Sequence, residues 1–338
     1  MSNSPSQGTA LITGASTGIG AVYADRLAKR NYDLILVARN EARLKALAAR
    51  LTSETGRSVT ALPADLSDKS GLAKVEAILR DDQTIAMLVN NAGIGAVAPL
   101  LSADVERMDD IIALNITALT HLTYAVAPAF VARGAGTIIN IASVVGISPE
   151  TLNGVYGASK AYVLALTHSL QHELGAKGLR IQAVLPGATA TEIWDKAGLP
   201  VQNLPASIVM SPEDMVDAAL VGLDQGELVT IPSLHDGDEW TRFEAARRAL
   251  SKRFGNAPPP HQRPDTGLVR PHRRTAQAEP EETHAWASLR ARLRSLPVAI
   301  AASALRRRSS TSRKAHTSSS RGAASRSWPR RYRRSEEM

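Results

Sequence analysis

Short apolar runs alternate with longer stretches of helical period along the first three quarters of the chain. TALIT (9–13), DLILVA (33–38), SVTALPA (58–64), IAMLVN (85–90), GTIINIAS (136–143), LRIQAVLP (179–186) and ELVTIP (227–232) read as strands. They are apolar almost continuously rather than at every second position, as strands buried on both faces must be. Between them, residues 19–29, 41–54, 67–80, 104–132, 155–177, 212–224 and 238–252 read as helices. Strand and helix alternating at this spacing predict a parallel sheet with helices on both faces. Right-handed crossovers then leave a doubly wound α/β sheet of about seven strands, three layers in one domain over residues 1–251.

The pattern stops at Lys252. NAPPPHQRPDTGLVRPHRR cannot continue a helix or a strand, and residues 252–338 are rich in Arg, Ser, Ala and Pro. That composition cannot bury a core and predicts a disordered tail, with 284–296 fitting a short basic helix. The tail also carries the charge. The net +8 of the 338 residues divides into −6 over 1–251 and +14 over 252–338. Nucleic acid is therefore expected to bind through the tail or not at all. Of three readings of the tail, a polyanion-binding extension, an inert one and an out-of-frame translation of a GC-rich gene, the last best accounts for the abrupt break after RRALSKRF. Resequencing across Lys252 tests it. With no cysteine in the chain, disulfides and thiolate chemistry are excluded, and a reducing cytoplasm is the expected location. Residues 1–8 are polar, unlike a secretory signal, and no apolar run reaches the ~18–20 residues of a membrane span.

In an open parallel sheet, ligands lie beyond the carboxyl ends of the strands. TGASTGIG (13–20) follows the first strand. Gly14 allows a tight turn there, and Gly18 and Gly20 let the backbone approach a pyrophosphate at the helix N-terminus, with Ser16, Thr17 and Ile19 in the same turn. At the end of the second strand, an acidic residue would accept from a ribose 2′-hydroxyl. This chain has Ala38 and then Arg39, which suits a 2′-phosphate. NADP(H) is the expected cofactor, with NAD(H) second; a solvated arginine at a helix start is the plain alternative. NNAG (90–93) places small residues and amides past the fourth strand. The fifth strand ends in Ser143, Tyr156 follows thirteen residues later, and Lys160 four after that. Residues i and i+4 of a helix share a face. A loop over 144–154 can return that helix to the strand end, so that hydroxyl, phenol and ammonium meet.

TGxxxGxG, NNAG, a serine and Tyr-x-x-x-Lys, in this order, resemble the short-chain dehydrogenase/reductase family over residues 8–251. The resemblance implies a Rossmann-type fold and an NADP-dependent oxidoreductase acting on a carbonyl or secondary alcohol. It adds Asn115 as a fourth catalytic residue. It assigns Asp65 to adenine, Pro186, Gly187 and Thr191 to the carboxamide end, and Leu66, Asn91, Ala92, Gly93 and Thr189 to cofactor binding. Tyr156 would pass the proton, its pKa of about 10 lowered by Lys160 and by the oxidised nicotinamide. Tyr156 and Lys160 would also bind cofactor, Lys160 at the ribose, while Ser143 would hold the carbonyl oxygen and Asn115 a water leading to solvent. A homodimer or homotetramer would form through helices 104–132 and 155–177. The segment after Pro186 would be a lid, with Ile193, Trp194 and Leu199 as an apolar wall. Lys196 is its lone cation, which favours an apolar or aromatic ketone, aldehyde or alcohol over a coenzyme A thioester. A catalytically silent dinucleotide-binding protein is the rival reading. No metal is expected: His121, His168 and His172 read as packing or surface residues, and Asp238 of HDGDEW as a helix N-cap.

Overall fold

The computed structural model describes residues 5–252. The expectations for the tail beyond Lys252 lie outside the described residues. Seven strands, β1 (Thr9–Thr13), β2 (Asp33–Ala38), β3 (Val59–Pro63), β4 (Ile85–Asn90), β5 (Gly136–Ile141), β6 (Leu179–Val184) and β9 (Val229–Thr230), form one sheet in the order β3-β2-β1-β4-β5-β6-β9. Every pairing is parallel. Two short strands, β7 (Ala188–Thr189) and β8 (Val209–Met210), pair apart from it. The order reverses between β1 and β4, which opens a crevice at their carboxyl ends.

Helices cover both faces. Successive strand residues point to opposite sides, so Leu11 and Ile12 enter different cores. Ile12 and Leu36 pack with α1 (Gly18–Lys29), α2 (Glu41–Thr55) and α8 (Pro212–Asp224) through Tyr23, Leu27, Leu44 and Val216. Leu11, Leu88 and Ile138 pack with α3 (Lys69–Asp81) and α5 (Leu119–Arg133) through Val75, Leu122, Val126 and Phe130. Each fully buried leucine contributes about 1.5–3 kcal/mol. The helix predicted over 104–132 is continuous from α4 (Val105–Ile111) to α5, but its middle, 112–118, is a π-helical stretch. Val105–Arg133 as a whole is long and apolar enough to cross a membrane, with mean hydropathy 1.4 in its most apolar part. That differs from the reading of the sequence, because residues 111–132 carry no Asp, Glu, Lys or Arg and are broken only by polar residues such as Asn115 and Thr117, which a mean over the whole stretch outweighs. Its Leu122, Val126 and Phe130 are core residues.

Helix starts follow their capping residues. Asn40 accepts from Arg43 N–H at 3.0 Å. Asn153 accepts from the N–H groups of Val155 (2.9 Å) and Tyr156 (3.2 Å), fixing the start of α6 (Gly154–Leu174). The cap of α9 (Gly237–Ser251) is Asp236, not Asp238: its carboxylate accepts from Asp238 N–H at 2.9 Å, so the helix begins before Asp238. The predicted lid, after Pro186, holds β7, α7 (Ile193–Ala197) and β8 around Trp194, Leu199 and Leu204.

Candidate active site

The crevice is built from the first turn outward. Gly14 (φ +67°) and Gly18 (φ +55°) occupy left-handed backbone regions that favour glycine. Gly20 lies against the turn itself: an ideal Cβ there would stand 2.5 Å from Asn91 Nδ2 and closer still to the Gly14 carbonyl oxygen. Gly20→Ala therefore forces the turn to move. We expect a fall of about 1–3 kcal/mol in stability and at least about tenfold weaker dinucleotide binding. Thermal melting and a fluorescence titration check this; an unchanged melting temperature would count against the packing argument.

Thr13 and Asn91 hold the turn to the end of β4. The Thr13 hydroxyl accepts from Asn91 N–H at 3.0 Å and Ala92 N–H at 2.9 Å, and donates to Val89 O at 3.2 Å. Asn91 Nδ2 donates to Thr13 O at 2.8 Å and Gly14 O at 3.2 Å. These bonds leave the first turn of α1 facing the cleft. Its N-cap, Thr17, makes no side-chain capping bond, and the first turn has no acidic residue, so its N–H groups are available to an anion. A cradle floored by glycines, beside an uncapped helix N-terminus, fits a pyrophosphate.

Ser143, Tyr156 and Lys160 converge above the end of β5. The Ser143 hydroxyl lies near enough to the Tyr156 oxygen to pull its pKa down, and it donates to Pro186 O at 3.3 Å. Lys160 is buried, donates to Ile141 O at 2.9 Å, and stands 5.9 Å from the centre of the Tyr156 ring. Burial pushes the Tyr156 phenol up to about 12, against the pull of the Ser143 hydroxyl. Burial likewise pushes Lys160 down to about 8. The expected lowering of the tyrosine is thus not a property of the chain by itself, because loss of hydration outweighs the nearby groups. It leaves Tyr156 a phenol at neutral pH.

Asn115 sits in the π-helical stretch beneath this group. Its Nδ2 donates to Ile94 O (3.0 Å) and Ser159 Oγ (3.1 Å), and its Oδ1 accepts from Ile94 N–H (3.0 Å). The side chain so ties the loop after β4 to α6. An ideal Cβ on Gly93 would lie 3.1 Å from Asn115 Oδ1 and 3.6 Å from Lys160 Nζ, so the glycine leaves space between them.

Most of the predicted residues line one cleft. Gly14, Thr17, Gly18 and Ile19 form one end; Asn91, Ala92, Gly93, Ser143, Tyr156 and Lys160 the middle; Pro186, Gly187, Thr189, Thr191, Ile193 and Trp194 the lid side. Ser16, Gly20 and Asn115 lie outside its lining, and so do Arg39, Asp65 and Leu66. The Leu66 side chain is buried in the core with Leu62 and Leu72. Arg39 stands exposed past β2 and Asp65 half-buried past β3, 3.9 Å apart. Trp194 lines the cleft and also fastens the segment predicted as a lid, its Nε1 donating to Thr189 O at 2.9 Å. Sequence reading missed Gly95, Val97, Val145 and Leu152, an apolar wall facing Ile193, and missed Glu192 at the lid's start. They lie in loops or, for Val145, in a single 3₁₀ turn, where no periodicity marks them. Among the described residues no group of His, Asp and Glu could hold a metal. His121 pairs with Glu76 at 2.6 Å, and His168 lies 3.6 Å from Glu244.

A doubly wound sheet, a glycine turn after β1 and a Ser-Tyr-Lys cluster at the end of β5 define a class of dinucleotide-dependent oxidoreductases. The chain belongs to the short chain dehydrogenase family, whose sequence profile matches residues 8–200. A short-chain dehydrogenase from Sphingobium yanoikuyae, solved in complex with NADPH, is 51% identical, with a TM-score of 0.72 over 74% of this chain and 97% of that one. The bulky-bulky ketone specific alcohol dehydrogenase from Comamonas testosteroni is 44% identical, with a TM-score of 0.69 over 75% of this chain and 98% of its own. The very-long-chain 3-oxoacyl-CoA reductase of Anas platyrhynchos is 34% identical over 221 residues, 63% of this chain and 69% of the relative.

Proposed function

We propose that this protein is an NADP(H)-dependent oxidoreductase that interconverts an apolar ketone or aldehyde and its alcohol. The observation that carries the reading is the meeting of Ser143, Tyr156 and Lys160 in the wall of a cleft that also exposes the first turn of α1. Gly14, Gly18, Asn91, Gly93, Lys160 and Thr191 would hold the dinucleotide, with Arg39 and Asp65 at its adenosine end. Bound there, the nicotinamide supplies or accepts the hydride. The remaining work falls to the chain. Tyr156 gives its phenolic proton to the carbonyl oxygen during reduction and takes it back during oxidation. Ser143 donates a hydrogen bond where negative charge develops. The Lys160 ammonium steadies the phenolate that remains, and the space between Gly93, Asn115 and Lys160 suits the water through which the proton is replaced.

The substrate class follows from the wall. Gly95, Val97, Val145, Leu152 and Ile193 are apolar or small, and the lid's lysine, Lys196, is already paired with Glu192 at 2.9 Å. No free lid cation is then left for a thioester's phosphates. The similarity to a bulky-bulky ketone specific dehydrogenase supports the same reading. Self-association would use α4 to α6, where Ile112 and Tyr124 are exposed. The lack of cysteine is in keeping with a cytoplasmic setting. The catalytic domain would be residues 1–251.

Titrating the full chain with NADPH and NADH tests the cofactor. Arg39 is 68% exposed and only loosely opposed by Asp65, so it can turn onto a 2′-phosphate. We expect NADPH to bind tighter, and Arg39→Ala to weaken NADPH about tenfold or more without changing NADH, the size of a charge-assisted bond. Tighter NADH would keep the oxidoreductase and discard the role of Arg39. Binding of neither would discard the function.

A further inference from the structure

The lid is tied by charge to α2, the helix that follows β2. Arg43, in the first turn of α2, brings Nη1 to 2.8 Å and 3.1 Å from the two carboxylate oxygens of Glu192, a residue 149 positions away that begins the lid helix α7. Glu192 accepts also from Lys196. Beside this trio, the lid touches the glycine turn: an ideal Cβ on Gly18 would stand 3.0 Å from Thr191 Cγ2. Glu192 and Lys196 both line the cleft. Gly18 and Thr191 thus close over the cleft beside the uncapped turn of α1, and the Arg43–Glu192 pair, with Arg43 outside the cleft lining, holds the same lid segment to α2. A lone carboxylate in the wall of an anion site is unfavourable. Flanked by Arg43 and Lys196 it is neutralised, and the trio carries a net positive charge.

We propose that Arg43 and Glu192 are positioning residues, a strap that holds the lid across the cleft and sets how fast the dinucleotide leaves. The inference rests on the cofactor reading given above. Neither residue lies in the Ser-Tyr-Lys cluster; they act through the lid. The two side chains are 50% and 42% exposed. A pair so exposed is worth at most about 1 kcal/mol, which suits a contact that must open whenever cofactor is exchanged. Its strength also falls with salt.

The test is the release rate of NADPH from the full chain, followed by loss of its bound fluorescence on mixing with excess NADP+. Glu192→Gln and Arg43→Met are expected to release about three- to fivefold faster than wild type. Wild-type release should quicken between about 0.05 and about 0.5 M salt, and that response should shrink in both variants. Arg43→Lys should stay within about twofold of wild type, because a single nitrogen makes the contact. The sign for Glu192→Gln is the sharpest part. Removing a negative charge from an anion site slows release if electrostatics toward the ligand is all that matters; only loss of a strap makes it faster. Unchanged or slower release in Glu192→Gln overturns the proposal. So does an Arg43→Lys variant as fast as Arg43→Met, which would mark lost packing rather than lost charge. A wild-type chain that takes up no NADPH overturns the cofactor reading itself, and the strap with it.

Discussion

Tyr156→Phe is expected to slow carbonyl reduction by about 10²–10⁴-fold, the range supplied by a positioned acid or base, while NADPH binding stays within about twofold. The substitution is close to isosteric. The ring remains half-buried at the cleft wall, and α6 keeps its start because Asn153 caps backbone N–H groups, not the phenol. What disappears is the proton that has to reach the carbonyl oxygen. At pH 7 that proton is present in the wild type, since burial holds Tyr156 as a phenol. Lys160 cannot replace it directly, as its ammonium is turned to the Ile141 carbonyl. Steady-state rates on an apolar ketone, with a parallel NADPH titration, decide the matter. A variant that binds NADPH and reduces the ketone at the wild-type rate would move the acid elsewhere and leave Tyr156 a packing residue. A variant that no longer binds NADPH would show that the phenol holds cofactor as well.

How far the sequence revealed this site depended on where burial acts on it. Strands β1, β2 and β4 have the bounds read from the chain, because strands covered on both faces are apolar end to end. The last strand was read over 227–232, yet only Val229 and Thr230 pair, because it is an edge strand and one neighbour, β6, sets its length. The π-helical stretch around Asn115 escaped, since it disturbs helical period by so little. β7 and β8 are too short to have any period. Within the site, Ser143, Tyr156 and Lys160 were legible because local spacing alone brings them together. The roles of Thr13, Gly95 and Glu192 arise from contacts across the fold, and no local pattern announces them. Gly20 shows the difference within one motif: it reads as room for a ligand, and the structure fills that room with the turn's own backbone.

Lys160→Met should abolish most of the activity and, at neutral pH, make the protein more stable. The ammonium is held in the interior, with its pKa pushed down to about 8 from 10.5. The sign follows from linkage. Between these values the unfolded chain binds a proton that the folded chain does not, so stability rises with pH across that window. Below pH 8 the full cost of burying the charge is in force, about 3 kcal/mol at 1.36 kcal/mol per unit. Methionine removes that cost. It also removes the donor to the Ile141 carbonyl, which costs about 1–3 kcal/mol in return. The net at pH 7 is a gain of up to about 2 kcal/mol, a rise of a few degrees in melting temperature. The gain should shrink as pH climbs from 8 towards 10.5 and then reverse, because the wild-type lysine is by then neutral and still donates to Ile141. Melting curves of both proteins from about pH 6 to 10 read this directly. Reduction should fall by about 10²-fold or more in the variant, and in the wild type it should decline as pH rises through 8, where Lys160 loses its charge. A variant less stable than wild type at every pH would mean that the ammonium is well solvated in the cleft. Its main task would then be structural, with the proton reaching Tyr156 by another route. A stabilised, inactive variant would instead identify Lys160 as a charge held in the fold at a cost because the reaction requires it.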